Sequence, residues 1–250
     1  WKDSSNKHNI QLIITGAPQT HNQRTSSFYN MAKVGDYQKY GIRYNYNHGF
    51  LNGNVFNQRK NFYHKPLASV NWEYDINSST NLSASLYYSV GRGGGTGDIG
   101  RLDGDYASSS KFRNPVNGQV NWDKIVASNS GQSTTFYDGS VYSNVVDPTT
   151  GLYIVNDQDE TVNGVKRNGI VRRASINSHN FLGSIINLEK ELNDNLTLNF
   201  GFDIRSYTGL HYRRLDNLLG ADGYRDFDNE NYSGGSEVRK TTYSSSVGDL

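Results

Sequence analysis

The stretch Leu192-Asn193-Asp194-Asn195-Leu196-Thr197-Leu198-Asn199-Phe200-Gly201-Phe202-Asp203-Ile204-Arg205 decides the fold. From Leu196 onward the large apolar residues Leu196, Leu198, Phe200, Phe202 and Ile204 alternate with Thr197, Asn199, Gly201, Asp203 and Arg205. Successive side chains of a strand point to opposite faces, so this period of two predicts a strand with one apolar and one polar face. Asn193-Asp194-Asn195 is built of turn formers. Ahead of it, Phe181 to Leu192 alternates less cleanly, with Leu182, Ile186, Leu188 and Leu192 in phase, Ser184 and Lys190 interrupting, and Ile185 opposite. The two segments predict a hairpin.

The same pattern occurs three times nearer the start of the chain. Ile10 to Gly16 sets Ile10, Leu12 and Ile14 against Gln11 and Thr15, with Ile13 as an exception. His64 to Ile76 sets Ala68, Val70, Trp72, Tyr74 and Ile76 against Leu67, Ser69, Asn71, Glu73 and Asp75. Leu82 to Val90 sets Leu82, Ala84, Leu86, Tyr88 and Val90 against Ser83, Ser85, Tyr87 and Ser89. Such segments match the roughly 9 to 11 residues with which a tilted strand crosses a bilayer. Alternation suits a soluble sandwich equally well, so the connections must discriminate. Asn77 to Asn81 and Asn193 to Asn195 are short, whereas the connections at about 17–61, 91–180 and 210–250 are long. Loops above about 15 residues are uncommon in compact soluble domains. Antiparallel strands with alternating short and long connections place every short turn on one rim and every long loop on the other, as in outer-membrane barrels. The expectation is therefore all-β: a segment of a large antiparallel transmembrane β-barrel, about five strands, with short periplasmic turns and long extracellular loops. Five strands leave edges unpaired, so further strands are expected from elsewhere.

Composition agrees with this reading. Hydrophobic residues make up 34% of the 250 residues and mean hydropathy is -0.73. No stretch approaches the roughly 20 apolar residues of a spanning helix, which excludes one, whereas strands of which only one face meets lipid suit this composition. The 18 tyrosines and 26 glycines favour strands and turns. A net charge of +1 offers no electrostatic case for nucleic acid. The absence of cysteine removes disulfides, thiolate metal sites and cysteine nucleophiles. The sequence starts at Trp1 without a leader and stops at Leu250 after a Ser-rich stretch rather than on a strand, so a fragment cut at both ends is expected.

Four stretches carry a family resemblance. They are Thr15-Gly16-Ala17-Pro18-Gln19-Thr20-His21-Asn22-Gln23-Arg24, Asn61-Phe62-Tyr63-His64-Lys65-Pro66, Tyr87-Tyr88-Ser89-Val90-Gly91-Arg92-Gly93-Gly94-Gly95-Thr96-Gly97, and Gly209-Leu210-His211-Tyr212-Arg213-Arg214-Leu215-Asp216-Asn217-Leu218-Leu219-Gly220. All four resemble the TonB-dependent receptors of Bacteroidota and fall at the strand-to-loop joints. The resemblance implies a barrel of ~22 strands around a plug, import of a bulky nutrient such as a glycan, peptide or metal chelate, and a periplasmic TonB-type energy-coupling protein. It implies that the plug and coupling segment precede Trp1. The partners it implies are the lipid bilayer, the remainder of the barrel and plug, and the coupling protein, with room for a surface lipoprotein. Two alternatives stay open: a barrel of the same family that serves as a non-transporting subunit of an outer-membrane assembly, and a secreted β-rich carbohydrate-binding module.

The candidate site residues follow from the faces and loops. Asn71, Glu73, Asp75, Asp203 and Arg205 are expected to face the lumen, where they anchor a plug or contact solute. Tyr44, Tyr46, Trp122, Tyr137 and Tyr212 are expected in the loops, packing against one another or stacking on a ligand. Trp72, Tyr74 and Tyr88 suit either an interfacial girdle or ordinary strand packing. The run Gly91 to Gly97 lacks the Gly-Lys-Ser/Thr ending of a phosphate loop and is expected to be a flexible loop start. Asp226-Phe227-Asp228-Asn229-Glu230-Asn231 spaces carboxylates like the opening of a calcium loop but has Asn231 where glycine is required. A solvated acidic turn is the plainer reading, so no cofactor is expected beyond a structural calcium at this turn. Asn156 to Glu160 is a weaker version. The six histidines have no zinc-ligand spacing, and no hydrolase signature supports an enzyme.

Overall fold

The computed structural model describes residues 1–24, 32–156, 161–162, 165–227 and 236–239. The protein is mostly β. Its main sheet contains five strands, here β1 (His8–Thr15), β2 (Leu67–Asn77), β3 (Thr80–Arg101), β4 (Gly169–Asn193) and β5 (Leu196–Asn217), hydrogen-bonded in chain order. The short strand Lys60–His64 also pairs with β3, and Gln19–Asn22 pairs with Lys60–His64. All five expected segments are strands. β3, β4 and β5 run to 22, 25 and 22 residues, so residues 91–101, 169–180 and 210–217, expected as loop, are strand instead.

Gly91, Gly93, Gly95 and Gly97 lie in the extended part of β3. None of them has a positive φ, so their role is not backbone freedom. A Cβ on Gly91 would overlap the His179 ring, one on Gly93 would lie 2.7 Å from Tyr63 Cβ, and one on Gly95 would lie 2.7 Å from Asn61 Oδ1. Alternate glycines leave a bare strip of backbone over which side chains of neighbouring strands lie. Gly183 of β4 plays the same part for the Tyr87 ring.

The chain divides into two compact units. The first comprises residues 1–19, 62–94 and 177–211. Its register places Leu12, Val70 and Leu86 on one rung and Ile10, Trp72 and Ala84 on the next, with Gln11, Asn71 and Ser85 between them on the opposite face. Both turns close in the same way: Asn77 Oδ1 accepts from Ser79 N at 3.0 Å, and Asn193 Oδ1 accepts from Asn195 N at 3.0 Å. An asparagine side chain that mimics a backbone turn explains why asparagine leads each tight connection. The turns share a rim, because Glu191 N donates to Ser79 O at 2.9 Å and Lys190 Nζ donates to Thr80 Oγ1 at 2.9 Å. Lys190 thus interrupts the apolar phase of β4 beside a polar turn, where a lysine reaches a polar partner with its head while its stem lies along the sheet.

The apolar face of this unit is exposed. Leu12, Ile14 and Phe200 expose 65%, 73% and 67% of their surface, and Val70, Leu86, Leu182, Ile186, Leu198, Phe202 and Ile204 are exposed with them. Burying a fully exposed side chain of this kind is worth about 1.5–3 kcal/mol, so leaving these ten about half in water forgoes on the order of 10 kcal/mol.

The second unit comprises residues 20–61, 95–176 and 212–250. It has a core of Leu102, Ala107, Phe112, Val120, Trp122, Ile125, Phe136, Ile170 and Leu219, so the long connections are folded rather than irregular. Helix Trp122–Asn129 begins where the Asn121 side chain accepts from Lys124 N, and it buries Trp122 and Ile125. At its end the Asn129 amide donates to Ile170 O at 2.8 Å and Leu219 O at 2.9 Å, which ties the helix to β4 and to the chain just past β5. A buried ion pair joins Arg167 to Asp147, with Arg225 at 3.7 Å. Burial pushes the Asp147 carboxyl up. Arg167 and the N–H groups of Thr150 and Thr149 outweigh it and hold the pKa at about 2.

Candidate functional site

The polar face of the first unit is a hydrogen-bonded lattice. Asn9 Nδ2 donates to Glu73 at 2.9 Å, Ser85 Oγ donates to Asn71 Oδ1 at 2.7 Å, Asn71 Nδ2 donates to Gln11 at 3.3 Å, and Asn81 Nδ2 donates to Asp75 at 2.6 Å. Asn71, Glu73 and Asp75 therefore lie on one face and are each engaged by a neighbouring strand or turn. Asp203 and Arg205 sit on β5 and pair with each other, Arg205 Nε donating to the two carboxylate oxygens at 2.9 and 3.1 Å. The same face carries aromatic rings that alternation did not single out. Phe181 packs edge-on against Tyr87 and Tyr207 with centroids 5.4 and 5.9 Å apart, and His179 stacks on Tyr207 at 5.8 Å. Their odd numbering on β3, β4 and β5, shared with Asp203 and Arg205 on β5, was the available signal. On the opposite face His8 stacks on Tyr74 at 4.3 Å and Trp72 donates its indole N–H to His8 Nδ1 at 3.2 Å.

In the second unit Tyr44, Tyr46 and Tyr137 come together and Trp122 does not join them. With Tyr40, Asp36, Lys39, Lys111, Arg113 and Asp138 they line a cleft of about 500 Å³. Tyr44 is buried against Tyr40 and its hydroxyl donates to Gly118 O at 2.9 Å. Burial, the largest influence, raises its pKa. Tyr46 donates to Ser108 O at 2.8 Å, and the Arg113 guanidinium lies 3.5 Å from its ring centroid. These two rings are structural walls of the cleft. Tyr137 accepts from Asn121 Nδ2 at 3.1 Å. Trp122, 1% exposed, fills the core and donates to Phe56 O at 3.0 Å, so it presents no free ring face. Tyr212 is an exposed residue of β5 rather than of a loop.

The second unit also concentrates cationic side chains. Arg173 is pushed down from the ordinary arginine value first by burial, then by Arg213, with Arg59 adding to the repulsion and Asp98 opposing it. Asp98 is already engaged, accepting from the Gln58 amide and from Ala107 N at 3.2 Å. Among the described residues no group of three His, Cys, Asp or Glu side chains converges on a metal position. Of the acidic turns, Asp226 is buried at the end of strand Gly223–Asp226, whereas residues 228–231 and 157–160 lie outside the described residues. The arrangement offers hydrogen-bonding, stacking and charge, the means of holding a polar solute.

No protein-family model, no curated protein and no solved structure matches the chain.

Proposed function

We propose that this chain is part of an outer-membrane β-barrel receptor of the TonB-dependent kind, importing a bulky nutrient such as a glycan, peptide or metal chelate. The observation that carries the reading is the exposed apolar face of the first unit, backed by a polar face whose side chains hydrogen-bond along the sheet. A sheet with one face for lipid and one for a wet lumen needs this division. A soluble module would need a layer over that face, and among the described residues the exposed apolar side chains have none. The turn asymmetry and the four family-like stretches add to the case. In this reading the outward loops form the folded second unit, and the lattice of Asn71, Glu73 and Asp75 contacts a plug or solute.

Sodium carbonate extraction of outer membranes tests the membrane assignment: the parent protein should stay in the pellet, and release as a soluble monomer would overturn it. Transport is tested separately by deleting the energy-coupling segment expected ahead of the plug. Uptake should collapse in a transporter, and unchanged uptake would show that the barrel serves another role.

A further inference from the structure

A second cavity in the second unit, of about 400 Å³, is lined by Thr20, His21, Asn22, Asn57, Lys60 and Arg172, with Val55 and Phe56 as its apolar part. Among the described residues no carboxylate lines it. Among the described residues the Lys60 ammonium makes neither an ion pair nor a hydrogen bond, since only the Lys60 main chain is engaged, N–H donating to Thr96 Oγ1 at 2.8 Å. Arg172 donates Nε–H to Asp216 at 2.6 Å and one Nη1–H to Asn57 O at 2.9 Å, which leaves part of its five-donor fork without a protein acceptor. The guanidinium lies over the Phe56 ring, its central carbon 3.8 Å from the ring centroid.

Asp216 offsets one of the two positive charges, so Lys60 and Arg172 leave the cavity short of one anion. An ammonium and a guanidinium with unused donors around one space match an oxyanion. The volume exceeds that of a bare oxyanion and is in the range of small-molecule sites, and Val55 and Phe56 supply a surface for the rest of the molecule. We propose that this cavity binds a small polar solute through a phosphate or sulfate ester, with Lys60 and the free donors of Arg172 on the oxyanion. The site goes beyond the receptor reading and does not depend on it, because it rests on the second unit alone.

The test is calorimetric titration of the full-length protein in detergent at low ionic strength with glucose 6-phosphate, glucose 6-sulfate and glucose. Saturable binding of either ester, at least tenfold tighter than glucose, is the expected result; the tighter ester names the source of the oxyanion. Lys60→Gln, which breaks no hydrogen bond or ion pair among the described residues, should weaken the ester at least tenfold. Lys39→Gln in the tyrosine cleft should leave it unchanged. Arg172→Lys, which keeps the charge and loses the fork, should give an intermediate affinity. Absence of saturable ester binding, equal affinity for glucose, or an unaltered Lys60→Gln variant would each overturn the site. Because the titration involves no import, a failed uptake experiment leaves its result standing.

Discussion

Gly49 sits where strand His48–Leu51 runs parallel to Val120–Asn121, opposite Val120. A Cβ there would overlap the Val120 carbonyl oxygen and the Trp122 indole nitrogen. Neither can yield without breaking the strand pair or the core, so Gly49→Ala should destabilise the protein by about 1–3 kcal/mol. Gly35, inside helix Val34–Tyr40, has nothing within 4 Å of its Cβ position, and Gly35→Ala should stabilise by about 0.5–1 kcal/mol. Denaturant titration of both variants separates the two glycine roles. Asp147 supplies a pH signature at the same scale. Its folded pKa of about 2 lies below the ordinary 3.8, so its contribution is present above about pH 4 and is lost as pH falls toward 2. Asp147→Asn should flatten that part of an acid-unfolding profile and, at pH 7, cost about 3 kcal/mol by leaving the buried Arg167 without its carboxylate. An acid profile identical to that of the unaltered protein would show that another group controls the transition.

At the scale of the strand, the two faces of β5 should respond oppositely to charge. Phe200 is exposed on the apolar face, and Phe200→Lys should cost about 2–4 kcal/mol if that face meets the middle of a bilayer. Asn199→Lys on the polar face should stay within about 0.5 kcal/mol. Unfolding of the full-length protein from phospholipid vesicles measures both, and equal costs would remove the distinction between lipid and lumen faces. Lys190 already shows where a lysine is tolerated in the apolar phase of β4, at a turn whose hydroxyls take its ammonium. Gly183 and Tyr87 show a second element-scale rule: a glycine in one strand admits a ring from the next. Gly91 and His179 repeat it.

For the molecule as a whole, the contrast lies between a first unit with little buried apolar surface and a second unit with two buried clusters. The second unit has the marks of a protein folded in water: an inner core, a capped helix and a buried ion pair. The first has its apolar residues turned outward, which is stable only against lipid or another apolar layer. On heating in detergent the two should therefore diverge. Asp147→Asn should lower the unfolding temperature reported by the near-ultraviolet signal of the core around Trp122, while the β-sheet signal of the full-length protein persists. Simultaneous loss of both signals would show that the units unfold as one.

The five strands, their two faces and the asparagine-led turns were legible in the sequence because each signal is local: alternation along one strand, or a side chain bonding its own backbone two residues on. The glycine run was misleading because glycine carries no side chain with which to display a period. What makes residues 91–97 a strand is pairing with Lys60–His64 and β4, and the residues a Cβ there would meet, His179, Tyr63, Asn61 and Arg173, come from those and neighbouring positions of other segments. Trp122 was equally opaque, since its surroundings alone make it core rather than ligand platform. The cavity of Lys60 and Arg172 was invisible for the same reason, as the Arg172 guanidinium reaches the Asn57 carbonyl across 115 positions of sequence. Sequence by itself determined the strands and the sorting of apolar from polar faces. Only the tertiary structure decided which tyrosines became walls, which glycines became contacts and which cations were left without partners, because those properties belong to pairs of residues that the chain brings together only on folding.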